Sequence, residues 1–127
     1  MKLRYFEITE ALALTSPNKS FRFGAILVRG NNIINKSTNQ DEKTHPLKAE
    51  MYPNRSYKGL HAEIALFCGF RNYDVKFSDV YVTRLLANNV ETLARPCSQC
   101  ENYMKNMGIS RVFYSIAENE YGCLRLK

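Results

Sequence analysis

The sequence predicts an α/β fold built on a five-stranded mixed sheet, and three observations predict it. Helical and strand-like segments alternate along the 127 residues in the order helix, hairpin, helix, strand, helix, hairpin. The stretch Ala25-Ile26-Leu27-Val28 is a continuous apolar run of the kind found in a strand covered on both faces. The last two strand segments are joined only by Ala117-Glu118-Asn119-Glu120. Parallel neighbours need a crossover of about a dozen residues, so these two pair as an antiparallel hairpin.

Each element has its own signal. Tyr5, Ile8, Ala11 and Leu12 give the first helix an apolar stripe, and Ser16-Pro17-Asn18 ends it. Residues 21–29 form a strand, and Gly30-Asn31-Asn32 turns the chain into a second strand over residues 33–39. Residues 40–59, with Pro46 and Pro53, form a long loop. Long loops in compact domains are usually functional, which makes this one a candidate lid or substrate gate. Over residues 60–70, Ala62, Ala65, Leu66 and Gly69 recur at helical spacing while Ile64, Phe67 and Cys68 fill the other side. That predicts a buried second helix. Residues 79–86 alternate as a strand. A third helix begins near Pro96, since proline is tolerated at a first helical position, and ends at Gly108. Met104 and Met107 point it inward, and Asn102, Lys105 and Asn106 face water. Residues 111–116 and 121–126 are the closing strands.

Composition fits one domain over residues 1–127, with 45% apolar residues, no repeat and no stretch of membrane-span length. Met1-Lys2-Leu3-Arg4 leads into an amphipathic segment rather than an apolar signal core, so secretion is not expected. Four cysteines without a framework spacing suit a reducing compartment, and a cytoplasmic location is expected. The net charge of +6 favours a phosphate-bearing partner, either a nucleotide or a nucleic acid strand. A merely solvated basic surface accounts for it as well.

Two short stretches carry the chemistry: His61-Ala62-Glu63 and Pro96-Cys97-Ser98-Gln99-Cys100. His61, Cys97 and Cys100 suit a three-ligand zinc site, whose open fourth position separates a catalytic zinc from a structural one. Glu63 stands close to that position, where water is the natural occupant, and suits general acid–base work. Cys97 and Cys100 are i, i+3 neighbours sharing one helix face. They and Glu63 fall in first turns, where the helix dipole favours negative charge. A lone C-x-x-C is also half of a zinc knuckle or a redox pair. Cys68 and Cys123 are badly spaced to complete a knuckle, and both read as small buried apolar residues. A redox pair leaves His61 and Glu63 without a role. His45, on the long loop, stays outside the metal set.

The pattern H-x-E…P-C-x-x-C resembles the zinc-dependent nucleobase deaminases. The resemblance implies a three-layer α-β-α cytidine-deaminase-like fold, a bound Zn²⁺, and hydrolysis of cytosine to uracil with release of ammonia. Glu63 then carries a proton from water to ring N3 and later one to the departing ammonia. Ser20-Phe21-Arg22-Phe23-Gly24-Ala25-Ile26-Leu27 is similar to the family's S-x-F-x-V-G-A-A-L stretch, with Phe23 in place of valine. This implies substrate contacts from Phe21, Gly24 and Ala25, with Asn39 on a sugar hydroxyl and the Ala62 backbone orienting the base. Asp41 stands where the family often carries a glutamate for the same hydroxyl. Core packing accounts equally for Phe21 or Phe23, and a turn for Asn39.

Two features of the resemblance pull apart. The closing hairpin resembles the free-nucleoside cytidine deaminases and several bacterial toxin deaminases. His61, where those nucleoside enzymes usually have cysteine, resembles the nucleotide and polynucleotide branches. Lys43, His45, Lys48, Arg55 and Lys58 in the long loop offer phosphate contacts. Three readings stay open: a deaminase of cytidine, deoxycytidine or dCMP; a cytosine deaminase acting on single-stranded DNA or RNA; and a catalytically inactive zinc-binding module. The resemblance also implies a homo-oligomer, and no membrane partner is expected.

Overall fold

Helix α1 (Leu3–Leu14) buries Tyr5, Phe6, Thr9 and Ala13 in the computed structural model, which describes residues 2–16, 22–39 and 62–126. The stripe differs from the expected one, because Ala11 is exposed and Thr9 is buried. Thr9 is accommodated because its hydroxyl donates to the Phe6 carbonyl at 2.9 Å and meets the Thr83 hydroxyl at 2.7 Å. A buried polar group with both partners supplied costs little.

The strands are β1 (Arg22–Arg29), β2 (Asn32–Thr38), β3 (Asp79–Leu85), β4 (Glu91–Thr92), β5 (Arg111–Ala117) and β6 (Glu120–Arg125). Their order is β2-β1-β3-β5-β6, with β4 paired to β3. The five long strands are those expected, and the two-residue β4 makes a sixth. Among the described strands only β3 and β5 run parallel. The closing pair β5–β6 is antiparallel, with Ser115 opposite Tyr121.

Alternation along the strands divides the core between two faces. Ala25, Leu27, Val80, Val82, Val112 and Tyr114 pack with residues of helices α2 (Ala62–Ala65) and α4 (Ser98–Asn106). Ile26, Val28, Tyr81 and Phe113 pack with Tyr5 and Phe6 of α1 on the other face. Helices therefore lie on both sides of the mixed sheet, as in the three-layer expectation. No described helix is long and apolar enough to cross a membrane.

Two helices depart from their expected bounds. In place of a regular helix through residue 70, α2 gives way after Ala65 to tighter turns. The Phe67 and Cys68 amides bond the carbonyls three residues back, at 3.0 and 3.3 Å. Gly69 then takes φ +88°, a left-handed value that glycine supplies without strain. A short helix α3 (Asn72–Val75) follows, which no sequence signal announced. Helix α4 begins at Ser98 rather than near Pro96, and Cys97 is its N-cap in extended conformation. Its end is as expected. Gly108, at φ +82°, donates to Lys105 O at 3.1 Å while Ile109 donates to Met104 O at 3.1 Å, which is a Schellman cap. The long loop over residues 40–59 lies outside the described residues.

Candidate active site

The edge strand β2 fixes helix α2. Ser37 and Asn35 stand opposite Ala25 and Leu27 in the β1–β2 register. The Ser37 hydroxyl donates to the Ala62 carbonyl at 2.5 Å, and the Asn35 amide donates to the Leu66 carbonyl at 2.8 Å. Both bonds satisfy carbonyls of α2 and of the turn that follows it. They pin to the sheet the segment that carries Glu63. Glu63 is only 4% exposed, in a helix whose neighbours Ala62 and Ile64 are fully buried. A carboxylate this far from water is uncommon outside sites with chemistry to perform.

Helix α4 brings the second motif to the same face, and α2 and α4 contact one another there. Cys97 holds the N-cap position, and its carbonyl accepts the first helical bond from Glu101 at 2.9 Å. Cys100 lies one turn on, fully buried, while Cys97 is half-buried. Ser115 holds the chain that leads into this turn. Its hydroxyl donates to Thr92 O at 2.6 Å and accepts the Arg84 amide at 3.2 Å, while its carbonyl accepts Ala94 N at 2.9 Å. Fully buried, Ser115 thus ties β3, β4 and β5 together just before Pro96.

The expected residues sort as follows. His61 and Phe21 lie outside the described residues. Glu63, Ala62, Cys97 and Cys100 belong to the segments that meet on the α2–α4 face, and Ala25 is buried in the same cluster. No group of three His, Cys, Asp or Glu residues able to hold a metal occurs among the described residues. The donors present fit zinc in kind: two sulfurs one helical turn apart, on a face that also buries a carboxylate-bearing helix.

Gly24 answers to a different neighbour than the base. A Cβ there would stand 2.1 Å from Thr9 O and 2.6 Å from Ala13 N, both backbone atoms of α1. The close approach that requires glycine is therefore made to α1, on the face opposite Ala25. Asn39 is engaged by structure too. Its Oδ1 accepts Phe23 N–H at 3.0 Å and the Ser16 hydroxyl at 2.6 Å, which joins the end of β2 to β1 and to the end of α1. Cys68 is half-buried, and burial pushes its thiol up. Cys123 is exposed, against expectation, because it lies on the outermost strand β6.

The motifs did not point to Ser37, Asn35, Ser115 or Arg84. Arg84 continues the alternation of Val80 and Val82 on β3, so the period itself put it on the site face. Its guanidinium lies 5.6 Å from the centroid of the Phe23 ring. Arg95, just before Pro96, stands 4.0 Å from a Glu101 carboxylate oxygen. The Arg95 guanidinium lies 6.0 Å from the Tyr114 ring, and both Phe23 and Tyr114 belong to the α2–α4 face.

A family model described as the cytidine and deoxycytidylate deaminase zinc-binding region matches residues 2–116. Among solved structures, the fold is similar to a cytidine deaminase from Burkholderia pseudomallei at TM-score 0.67 and 19% identity, covering 99% of this chain and 93% of that one. It is also similar to the dCMP deaminase of cyanophage S-TIM5, solved in complex with dCMP and dUMP, at TM-score 0.64 and 20% identity. That match covers 90% of this chain and 82% of the phage protein. No curated protein matches the chain.

Proposed function

The chain belongs to the cytidine and deoxycytidylate deaminase zinc-binding family, and from that premise we propose that it deaminates cytosine to uracil in a free nucleoside or nucleotide. One observation carries the reading: a carboxylate, Glu63, buried on a helix that packs against the helix bearing Cys97 and Cys100. The reading takes residues 1–127 as one deaminase domain acting in the cytoplasm, with substrate contacts drawn from Phe21, Ala25, Asn39 and Ala62, while Gly24 serves the close fit of β1 against α1.

His61, Cys97 and Cys100 would hold the metal. When bound, zinc supplies Lewis-acid activation of a water. Glu63 accepts the proton released from that water and passes it to ring N3, which makes C4 electrophilic. As the C4–O bond forms, Glu63 takes the remaining proton from the new C4 hydroxyl and delivers it to the amino nitrogen, and the C4–N bond breaks to release ammonia and leave the C4 carbonyl. Burial of Glu63 keeps bulk water from competing for these transfers and strengthens the electrostatics of the pocket. Ser37 and Ser115 act at one remove, by holding the Glu63 and Cys97 segments to the sheet.

The closing hairpin supports a nucleoside or mononucleotide substrate, and Arg84 and Arg95 suit the phosphate of a nucleotide. The test is ammonia release by zinc-loaded protein against cytidine, deoxycytidine, their 5′-monophosphates and a single-stranded oligonucleotide. Release from a monomer is expected. Uracil formed only in the oligonucleotide would overturn the substrate class, and no release from any of them would leave a binding module.

A further inference from the structure

The end of strand β3 away from the cysteine motif carries a second feature. Strand β3 takes six residue steps from Asp79 to Leu85, which at about 3.3 Å each separates its ends by about 20 Å. The cysteine motif follows the Leu85 end. At the Asp79 end lies a groove of about 330 Å³ lined by Phe77, Asp79, Ser110, Arg111 and Arg125. A volume above about 300 Å³ is enough for a small ligand.

The charges in this groove are arranged at a cost. The β5–β6 register sets Arg111 directly opposite Arg125, and like charges so placed destabilise a hairpin. Asp79 accepts two bonds from Arg111, Nε to Oδ1 at 3.1 Å and Nη2 to Oδ2 at 2.8 Å. One carboxylate thus neutralises one arginine. Arg125 is exposed and forms no ion pair among the described residues. Beside them Phe77 is 57% exposed and takes φ +66°, a left-handed conformation strained for a bulky side chain. Its amide is held by the Gly108 carbonyl at 2.7 Å, and the Lys76 ammonium sits 5.6 Å from its ring centroid. An aromatic ring is thereby fixed in the groove wall next to an excess of positive charge.

The geometry points to a mononucleotide site, with the phosphate on Arg111 and Arg125 and the base against Phe77. Arg125 can pair with phosphate oxygens in the planar, two-bond fashion of a guanidinium, and Arg111, whose Nε and Nη2 bond Asp79, adds its remaining N–H groups. An aromatic face stacks on any base. One ring and one arginine pair make a single subsite, whereas a strand needs a row of them. The inference is independent of the deaminase reading, since none of the groove residues takes part in it.

The test is titration calorimetry at low ionic strength with inorganic phosphate, with dGMP and with a single-stranded oligothymidylate. The expected result is one dGMP per chain, bound more tightly than phosphate. Arg125→Ala should weaken both by about tenfold or more while kcat/KM for deamination stays within about twofold. Phe77→Asn, whose new side chain tolerates the left-handed backbone, should weaken dGMP and leave phosphate unchanged. No binding of dGMP, dGMP binding indifferent to Arg125→Ala, or an oligonucleotide bound more tightly than dGMP would each overturn the proposal.

Discussion

The two faces of the sheet are built from different materials. The α1 face is aromatic and interlocked. Phe6 stacks on Tyr121 at 3.9 Å between centroids, Tyr81 on Phe113 at 4.7 Å, and Tyr5 and Phe6 meet Tyr81 edge-on at 5.0 and 5.2 Å. Its buried hydroxyls, Thr9 and Thr83, bond each other. The α2–α4 face is mainly aliphatic, with Leu27, Ile64, Leu66 and Met104, and it sets the small residues Ala25, Ala62 and Cys100 among helices that bring in a buried carboxylate. Large rings fill space and add stability. Small side chains leave room and let backbone approach, which is what a ligand needs. One face is interlocked by rings, and the other sets small residues beside the helix that carries Glu63.

Breaking one face at a time tests that division. Glu63→Gln should lower turnover by about 10²–10⁴-fold, the usual range for general acid–base catalysis, with little change in melting temperature. Turnover within about tenfold of wild type would remove Glu63 from the acid–base role. Phe6→Ala should do the reverse. Loss of a fully buried ring costs about 3–5 kcal/mol, a fall on the order of 10–20 °C in Tm, with kcat/KM of the folded fraction unchanged.

Gly24→Ala sharpens the boundary between the faces. The new methyl meets the α1 backbone, so stability should fall by about 1–3 kcal/mol or more while KM holds. A raised KM at unchanged stability would instead return Gly24 to the substrate. Ser115→Ala should cost about 1–3 kcal/mol, because it strands the Arg84 amide and the Thr92 carbonyl. Zinc affinity should fall with it, as measured by competition with a chromogenic chelator.

The smallest effect belongs to Glu10. Burial raises its pKa first, and Glu91, Glu7 and Glu118 add to the rise. A raised folded pKa means that the folded state holds the proton more tightly, so this contribution to stability is present at low pH and lost as pH rises. Glu10→Gln should therefore stabilise the fold at neutral pH by well under about 1 kcal/mol after solvent screening, with a correspondingly small rise in Tm. The gain should vanish below the carboxylate range. Equal melting temperatures at neutral pH would sink the prediction.

What was legible in the chain was whatever a residue does for its neighbours in sequence. The apolar run at Ala25–Val28 announced a central strand, a four-residue link announced the closing hairpin, and Gly108 announced a helix end. The spacing of Glu63, Cys97 and Cys100 marked two segments for one place, and the fold does pack those segments, α2 and α4, against each other. Thr9 broke the α1 stripe because its partner, Thr83, is remote in sequence. Strand β4 is too short to carry a period. Gly24 was readable as a close approach, yet what approaches it is a helix the chain had already left. Ser37, Asn35 and Ser115 escaped notice because their role is to satisfy carbonyls that only the folded chain brings within reach.

The parallel pairing of β3 with β5 has a consequence for assembly. Both motif cysteines ride on the crossover between these strands, over residues 86–110. Joining parallel strands closes a long loop before any contact rewards it, which makes it a slow step in folding. Cys97 and Cys100 thus reach their places against α2 only once this connection and the β1–β3 pairing are both made. An ion gripped by both sulfurs and by a donor from the α2 segment would recognise the finished fold and nothing earlier. It would slow unfolding more than it speeds folding.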